Sequence, residues 1–522
     1  MFDKWLKIPA HYYLHITALV ILTVGICLHN TLMSIGAIWI IANWLIEAKF
    51  KLYWTNFKAN KGLWALYAFF ILGFISLLWT TDFEYAKRDL AQKVPLFVVP
   101  FVMGTRVLLE KKVLHFLLYV FLGVLLLTSG INFYRYNVTL EAAVDIREMS
   151  YFISHVRFAV LMALGMVVCI YFLKIKSRLW WIFVPIFAWL IYYTLKSQTI
   201  NGYVLLLAVG FLLSAYLLIK LKNQFAKILF LALCTAVTMA FFLFVNSSIK
   251  SYTAPVQFTP DDVPEYTVNG RLYMHSFDVQ ERENGNLIWM FVQVEELENE
   301  WNNRSSIAYD SLDRKGQPMF GTILRYMTSK GINKDSVGVH QLTEEDISLI
   351  ENGSTSSESN SGVRAKFHEF LYQYETYQNG GDPNGQSLLQ RLEHFKIAFS
   401  ILGDNWLGGV GIGDVQLEFE KEYERSNSKL SLENRHRAHS QFLTFWISHG
   451  FIGFVLFMLF FFAPFVKRKD KDILFYGVMF ILFVACIFQD LIETQAGISM
   501  FALFYSLVAN IDDTNPEVQK ED

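Results

Sequence analysis

The sequence predicts an all-α polytopic membrane protein with about twelve transmembrane helices. One large extracytoplasmic loop of mixed α/β character is expected between the ninth and tenth spans. Three observations predict this fold class. The 522 residues are 53% hydrophobic and only 18% charged, where soluble domains run nearer a quarter charged. The apolar residues gather into runs about as long as a hydrocarbon core requires. Lys and Arg alternate between abundant and scarce from one connecting segment to the next, the pattern that orients spans in a bilayer.

Candidate spans fall at 11–29, 31–48, 62–79, 94–109, 113–131, 156–173, 179–195, 203–219 and 226–246, then at 442–466, 473–488 and 497–511. Pro95 and Pro100 interrupt the fourth, and without it the count is eleven. With the N-terminus inside, the cytoplasmic segments 4–7, 49–61, 106–112, 174–178, 220–227 and 467–471 carry nineteen Lys and Arg. The opposing short loops hold six: Lys87, Arg88, Lys93, Arg135, Arg147 and Lys196. Inserting or deleting one span would destroy this alternation, so twelve spans and two cytoplasmic termini support each other. Lys4 and Lys7 precede the first run without a small-x-small cleavage pattern, which predicts a retained first helix. Four regions follow: an N-terminal membrane region 1–246, an extracytoplasmic loop 247–439, a C-terminal membrane region 440–511 and a cytoplasmic tail 512–522.

Composition also excludes functions. Apolar content this high rules out intrinsic disorder, and a net charge of −2 gives no reason to expect nucleic acid as a partner. Cys27, Cys169, Cys234 and Cys486 all lie in apolar stretches and form no CxxC pair, which argues against a disulfide framework or a thiolate metal site.

Residues 247–439 hold 29 Asp and Glu against 18 Lys and Arg; long translocated segments do not obey the positive-inside bias. "SFDVQ" and "LIWMFVQV" read as strands, joined by the hairpin chemistry of Glu283-Asn284-Gly285-Asn286. "TEEDISLIENG" reads as a short helix capped by Thr343 and closed at Gly353. Ser354 to Ser361 reads as a polar connector. In "SLLQRLEHFKIAFSILGDN", Ser387 and Gln390 form a capping box, and Gly403 falls where a helix-ending glycine belongs; a helix over 388–402 is expected.

Ionisable residues at a membrane edge are costly and mark candidate sites. "RHRAHSQF" places Arg435, His436, Arg437 and His439 at the threshold of the tenth span. Snorkelling to headgroups explains the first two blandly. It fits His439 less well, because an apolar helix follows at once; a neutral imidazole there can take a proton from a hydroxyl. A metal set of Glu433, His436 and His439 matches no recognised ligand spacing. Arg391 on the capped helix is either a surface Arg paired with Glu393 or Asp404, or an anion clamp whose fork matches phosphate oxygens. His155 and Arg157 sit at the outer mouth of the sixth span, open to the same two readings. "GVGIGD" lacks the strand-turn-helix context of a dinucleotide site; it is either a flexible bend or a place where backbone approaches a substrate.

Taken together, "QRLEHFKIAFSIL", "NWLGGVGIGDV", "RAHSQFL" and "HGFIGF" resemble the O-antigen ligase and O-antigen polymerase superfamily of lipid-linked glycan transferases. The matching positions are Arg391, Gly409-Gly411-Gly413, His439-Ser440-Gln441-Phe442-Leu443, and Gly450 with Gly453. "ENGNLIWMFVQVEELENEWNNRSS" and "TILRYMTSKGINKDSVGV" further resemble a ligase-like branch common in Bacteroidetes.

The resemblance implies inverting glycosyl transfer on the periplasmic face of the bacterial inner membrane, without metal or other cofactor. Undecaprenyl diphosphate would carry the donor glycan, and lipid A-core would accept it. His439 would be the general base, and Arg391 would hold the diphosphate. Where many ligases have an Arg in a Ser-Arg-Thr-Gly-like stretch, this chain has "KSQTINGY" with Gln198; Arg157 is the expected substitute, with Arg437 beside it. His155, Gly411, Gly413, Asp414 and Gln441 would position substrate. A polymerase that extends the same donor, or an enzyme that glycosylates protein, fits the same pattern. A transporter would need paired broken helices and midplane charges, which the sequence does not offer.

Overall fold

The computed structural model describes residues 9–106, 109–139, 146–177, 180–253, 263–279, 281–283, 285–314, 316–357, 363–378, 380–381, 383–384, 387–467 and 472–512. Lys4, Lys7, Arg178, Asn284, Arg468, Lys469 and Lys471 therefore lie outside the described residues, as do parts of the Ser354 to Ser361 connector and the tail.

The first helices are α1 (Pro9–Leu28), α2 (Asn30–Glu47), α3 (Phe50–Ala59), α4 (Lys61–Ser76), α5 (Phe83–Thr105) and α6 (Lys111–Tyr134). Next come α7 (His155–Lys174), α8 (Phe183–Lys196), α9 (Ile200–Lys220) and α10 (Gln224–Thr253). The middle of the chain supplies α11 (Val294–Arg304), α12 (Met319–Ser329), α13 (Ser336–His340), α14 (Glu344–Glu351) and α15 (Val363–Gln378). The last are α16 (Ser387–Asn405), α17 (Val415–Arg425), α18 (Gln441–Lys467), α19 (Ile473–Phe488) and α20 (Gln495–Ala509). The described strands are four two-residue pieces: β1 (Leu109–Glu110), β2 (Arg282–Glu283), β3 (Asn286–Leu287) and β4 (Ile511–Asp512).

Two compact units result: Met1–Lys222 with Gln390–Asp522, and Asn223–Leu389. The larger unit is a helical bundle centred on α7, in which every residue from Phe158 to Phe172 is buried. A helix apolar on all sides belongs in the middle of a bundle, and α6, α8, α9 and α19 surround it. Around this centre α4 packs on α18, α5 on α20 and α1 on α2. β1 and β4 pair in parallel, tying the α5–α6 connection to residues 511–512.

Each of the twelve apolar stretches lies on a helix of its own, and the protein is mostly helical. By length and composition six of these helices can cross a membrane: α1, α6, α7, α9, α10 and α18. A seventh is counted if α2 and α3, bent by 115° across Ala48, are one broken span. The apolar helices α4, α8, α19 and α20 are shorter. Pro95 and Pro100 do not interrupt their helix, since both sit inside the continuous α5; packed neighbours let a helix carry such prolines.

The smaller unit takes in α10 together with most of the expected loop. The apolar window of α10 has no buried residue. A separate core forms where Leu297, Trp301, Met319, Ile323, Val339 and Ile350 meet. Thr343 and Asp346 close a reciprocal capping box on α14. The expected strands shrink to β2 and β3, an antiparallel pair of two residues each. Beyond Leu287, the described residues of "LIWMFVQV" make only isolated bridges, from Val292, because Phe291 at φ +56 breaks the pleat and α11 begins at Val294.

The glycine-rich turn after α16 explains a break in α18. Gly403 does not end α16, which runs to Asn405; the left-handed glycine is Gly409, whose N–H returns to Asn405 O at 3.0 Å. In α18, Gly450 at φ +69 and ψ −175 interrupts the helix and orphans backbone groups on both sides. The turn satisfies them: Val410 N–H donates to Ile447 O (2.8 Å), Gly411 N–H to Ser448 O (3.1 Å), and Phe451 N–H to Trp406 O (2.9 Å). Backbones meet so closely that a Cβ on Gly450 would lie 2.0 Å from Leu407 O. Gly450→Ala is therefore expected to cost about 2 kcal/mol or more, from overpacking plus left-handed strain, and to lower the thermal unfolding midpoint of the purified protein. A midpoint equal to wild type would show that the interlock yields freely.

Candidate functional site

Every part of the site belongs to the larger unit. It starts from the irregular stretch before α18. His394 on α16 donates Nε2–H to Asn434 O (3.0 Å), and Tyr423 on α17 donates its hydroxyl to His436 O (2.7 Å). His439 follows at φ +49, left-handed backbone that a residue other than glycine adopts at a cost.

The short connection between α19 and α20 grips this stretch. Gln441 N–H donates to Gln489 O (3.1 Å), Thr444 Oγ1 donates to Asp490 Oδ1 (2.8 Å), and Ile492 N–H donates to Gln441 Oε1 (2.6 Å). Glu493 pairs with Arg437 (3.1 Å) and with Lys93 of α5 (3.2 Å), which also pairs with Asp89 (2.5 Å). Arg437 further donates to the Tyr85 hydroxyl and to Gln416 Oε1. His439 Nδ1 stands 3.8 Å from Asp490 Oδ2.

Above this grip lies a cavity of about 350 Å³. Arg157, Arg391, Arg437, His436 and His439 line it, with Asp490 and Glu493 on the wall. The cations in it are not equivalent. Lys93 and Arg437 are matched by Asp89 and Glu493. Arg391 reaches only the Asn201 side-chain oxygen, at 3.3 Å, among the described residues. The acids that could have paired with it are engaged elsewhere, Asp404 with Arg425 and Glu393 with Lys396. Arg157 donates to the Asp490 carbonyl (3.2 Å), and its buried Nε has no partner among the described residues. Two guanidinium groups with unspent donors face one cavity, and such forks suit phosphate oxygens.

The same cations act on the imidazoles. Burial, then His394, Arg391, His436 and Arg157, lower His439 to about 3. Burial likewise lowers His394 to about 4. Asp490 moves the other way, raised by burial and by Glu493. His439 is thus a neutral acceptor beside an acid, able to take a proton. Its ring centroid lies 5.2 Å from that of His394 and 5.9 Å from that of His436. Among the described residues no group of His, Cys, Asp or Glu is arranged to hold a metal ion, Glu433, His436 and His439 included.

Of the residues singled out from sequence, His439, Arg391, Arg157 and Arg437 share the cavity. Arg437 is engaged at all three of its nitrogens by Glu493, Tyr85 and Gln416. Gly411 and Gly413 pack closely on the turn after α4: their Cβ atoms would lie 2.5 Å from the Thr80 side-chain Oγ1 and 2.3 Å from the Asp82 backbone O. Asp414 is buried and accepts from Thr81 N–H, Thr81 Oγ1 and Asp82 N–H at 2.8–3.0 Å, anchoring that turn. Gln441 is fully buried on Glu493 and Ile492. His155 begins α7 and is not among the cavity's lining residues. Gln198 occupies a left-handed turn before α9, and three residues on Asn201 holds Arg391.

Sequence reasoning missed Asn201, Tyr85, Asp490 and Glu493. The last two carried a signal: two acids in the short connection between apolar runs, where charge is expensive.

The bundle and the cavity define a membrane protein with a polar, cation-lined pocket. Residues 361–458 match the Wzy_C family model, described as O-antigen ligase. That match takes in Arg391, the glycine turn and His439, and supports a likeness to the O-antigen ligase superfamily. No curated protein matches the chain.

Because His439 is held neutral to about pH 4, its carbethoxylation by diethyl pyrocarbonate is expected to be flat from pH 8 to pH 5. An ordinary imidazole loses half its reactivity near pH 6.5. Peptide mass spectrometry across that range checks this, and a midpoint near 6.5 would contradict it.

Proposed function

We propose that the protein is an O-antigen ligase-like glycosyltransferase. It moves a glycan from undecaprenyl diphosphate to lipid A-core on the periplasmic face of the bacterial inner membrane, by inverting transfer that needs no metal. In this reading the twelve helices span the membrane, both termini are cytoplasmic and the segment from 247 to 439 is periplasmic. The observation that carries it is the shared cavity of a neutral His439 and two uncommitted guanidinium groups, Arg391 and Arg157.

The chemistry follows from those positions. The acceptor hydroxyl gives its proton to His439 as its oxygen bonds to the anomeric carbon of the donor sugar. The bond from that carbon to phosphate breaks, and the electron pair leaves on undecaprenyl diphosphate. Arg391 and Arg157 stabilise the charge gathering on that leaving group, the term that usually contributes most. Asp490, across from Nδ1, stabilises the imidazolium that forms. The donor arrives already activated, so one base and a cationic clamp are sufficient.

In cells, loss of a ligase leaves polymerised glycan on its carrier lipid. Loss of a polymerase leaves single repeats on lipid A-core, and that outcome in a deletion strain would replace the ligase assignment. His439→Ala is expected to abolish transfer from lipid-linked glycan in reconstituted membranes while insertion stays intact; transfer at the wild-type rate would remove the base. Arg391→Lys is expected to lower kcat/KM at least a hundredfold, about 2.7 kcal/mol of transition-state stabilisation, because a point charge cannot form the fork. Unchanged kinetics would return Arg391 to a structural role.

A further inference from the structure

We propose that Glu493, backed by Lys93, is the positioning residue that holds the His439 imidazole in place for proton abstraction. This inference rests on the glycosyl-transfer reading above. Glu493 reaches Arg437 at 3.1 Å and donor Gln441 Nε2 at 2.9 Å. Those residues stand two before and two after His439, so one carboxylate grips both flanks of the left-handed position. A histidine at φ +49 persists only where its surroundings over-determine it. The grip is reinforced from the same connection by the Gln489, Asp490 and Ile492 contacts to Gln441 and Thr444.

Both Glu493 oxygens are occupied. Oε1 takes Gln441 and Lys93, and Oε2 takes Arg437 and Lys93. Although Glu493 lies on the cavity wall, its carboxylate has no further capacity to contact substrate. Lys93 is 6% exposed and reaches Glu493 from α5. Its charge keeps the clamp neutral as a set, so the carboxylate does not cancel the pull of Arg391 and Arg157 on a diphosphate. The acids therefore hold the base, and the unspent cations remain for the leaving group.

The test uses the full chain in lipid nanodiscs, comparing wild type with Glu493→Gln and Gln441→Met. The second variant leaves the Lys93–Glu493–Arg437 pairs whole, so it decides the matter if Glu493→Gln fails to fold. Two readouts are taken: the reactivity of His439 to diethyl pyrocarbonate with hydrogen exchange over residues 437–441, and kcat and KM for lipid-linked donor. In both variants exchange should rise and His439 reactivity should shift. The value of kcat should fall about a hundredfold, the scale expected for roughly 1 Å of misplacement, while KM for the donor stays within about threefold. Unaltered exchange and reactivity would overturn the clamp whatever the catalytic result. Altered reactivity with wild-type kcat, or a loss confined to KM, would overturn positioning. If wild type itself transfers no glycan while the variants alter His439, it is the glycosyl-transfer reading that has failed.

Discussion

A carboxylate buried at the end of a helical bundle must be matched by a cation or lose its charge, and this constraint organises the site. Glu493 and Asp89 are matched by Lys93 and Arg437. Breaking such a buried pair from one side typically costs about 3–5 kcal/mol, so these four groups are committed to one another. What the network leaves uncommitted is chemically informative. Arg391 has one neutral partner and Arg157 one carbonyl and an orphaned Nε, and both open onto the cavity that holds His439. On the proposed reading, the unspent guanidinium groups are the ones that bind.

A second constraint is that no backbone group in such a bundle can be left unpaired. The break at Gly450 would violate it on α18 alone. The turn at 406–412 supplies the missing donors and acceptor, while Gly411, Gly413 and Asp414 fasten the same segment to the turn at 80–82. Gly409, Gly411 and Gly413 sit where close packing leaves no room for a Cβ. Their effect on the site is indirect: they fix the first two turns of α18, at whose start His439 stands.

Much of this was legible in the sequence, for identifiable reasons. Apolar runs located twelve helices because hydrophobicity is a local property. His439, Arg391 and Arg157 stood out because charge beside an apolar run is costly wherever it occurs. Partners were not legible. Lys93 and Glu493 lie four hundred positions apart, and Asn201 looks like an ordinary helix-start residue until Arg391 arrives beside it. The strands expected at 276–280 and 287–294 shrink to short pairs because a β-rich composition says nothing of Phe291's left-handed backbone. Asp414 shows a related limit: its motif is recognisable, but its partner Thr81 lies 333 positions away.

The orphaned Nε of Arg157 has a consequence for turnover. If a diphosphate supplies the missing partner of that Nε, it does so equally as donor and as spent carrier. On the proposed reading, the tighter that grip on the departing group, the longer the carrier lingers after the sugar has gone. The pace of the cycle would then be governed by how quickly the bilayer reclaims its lipid, with bond making and breaking already complete.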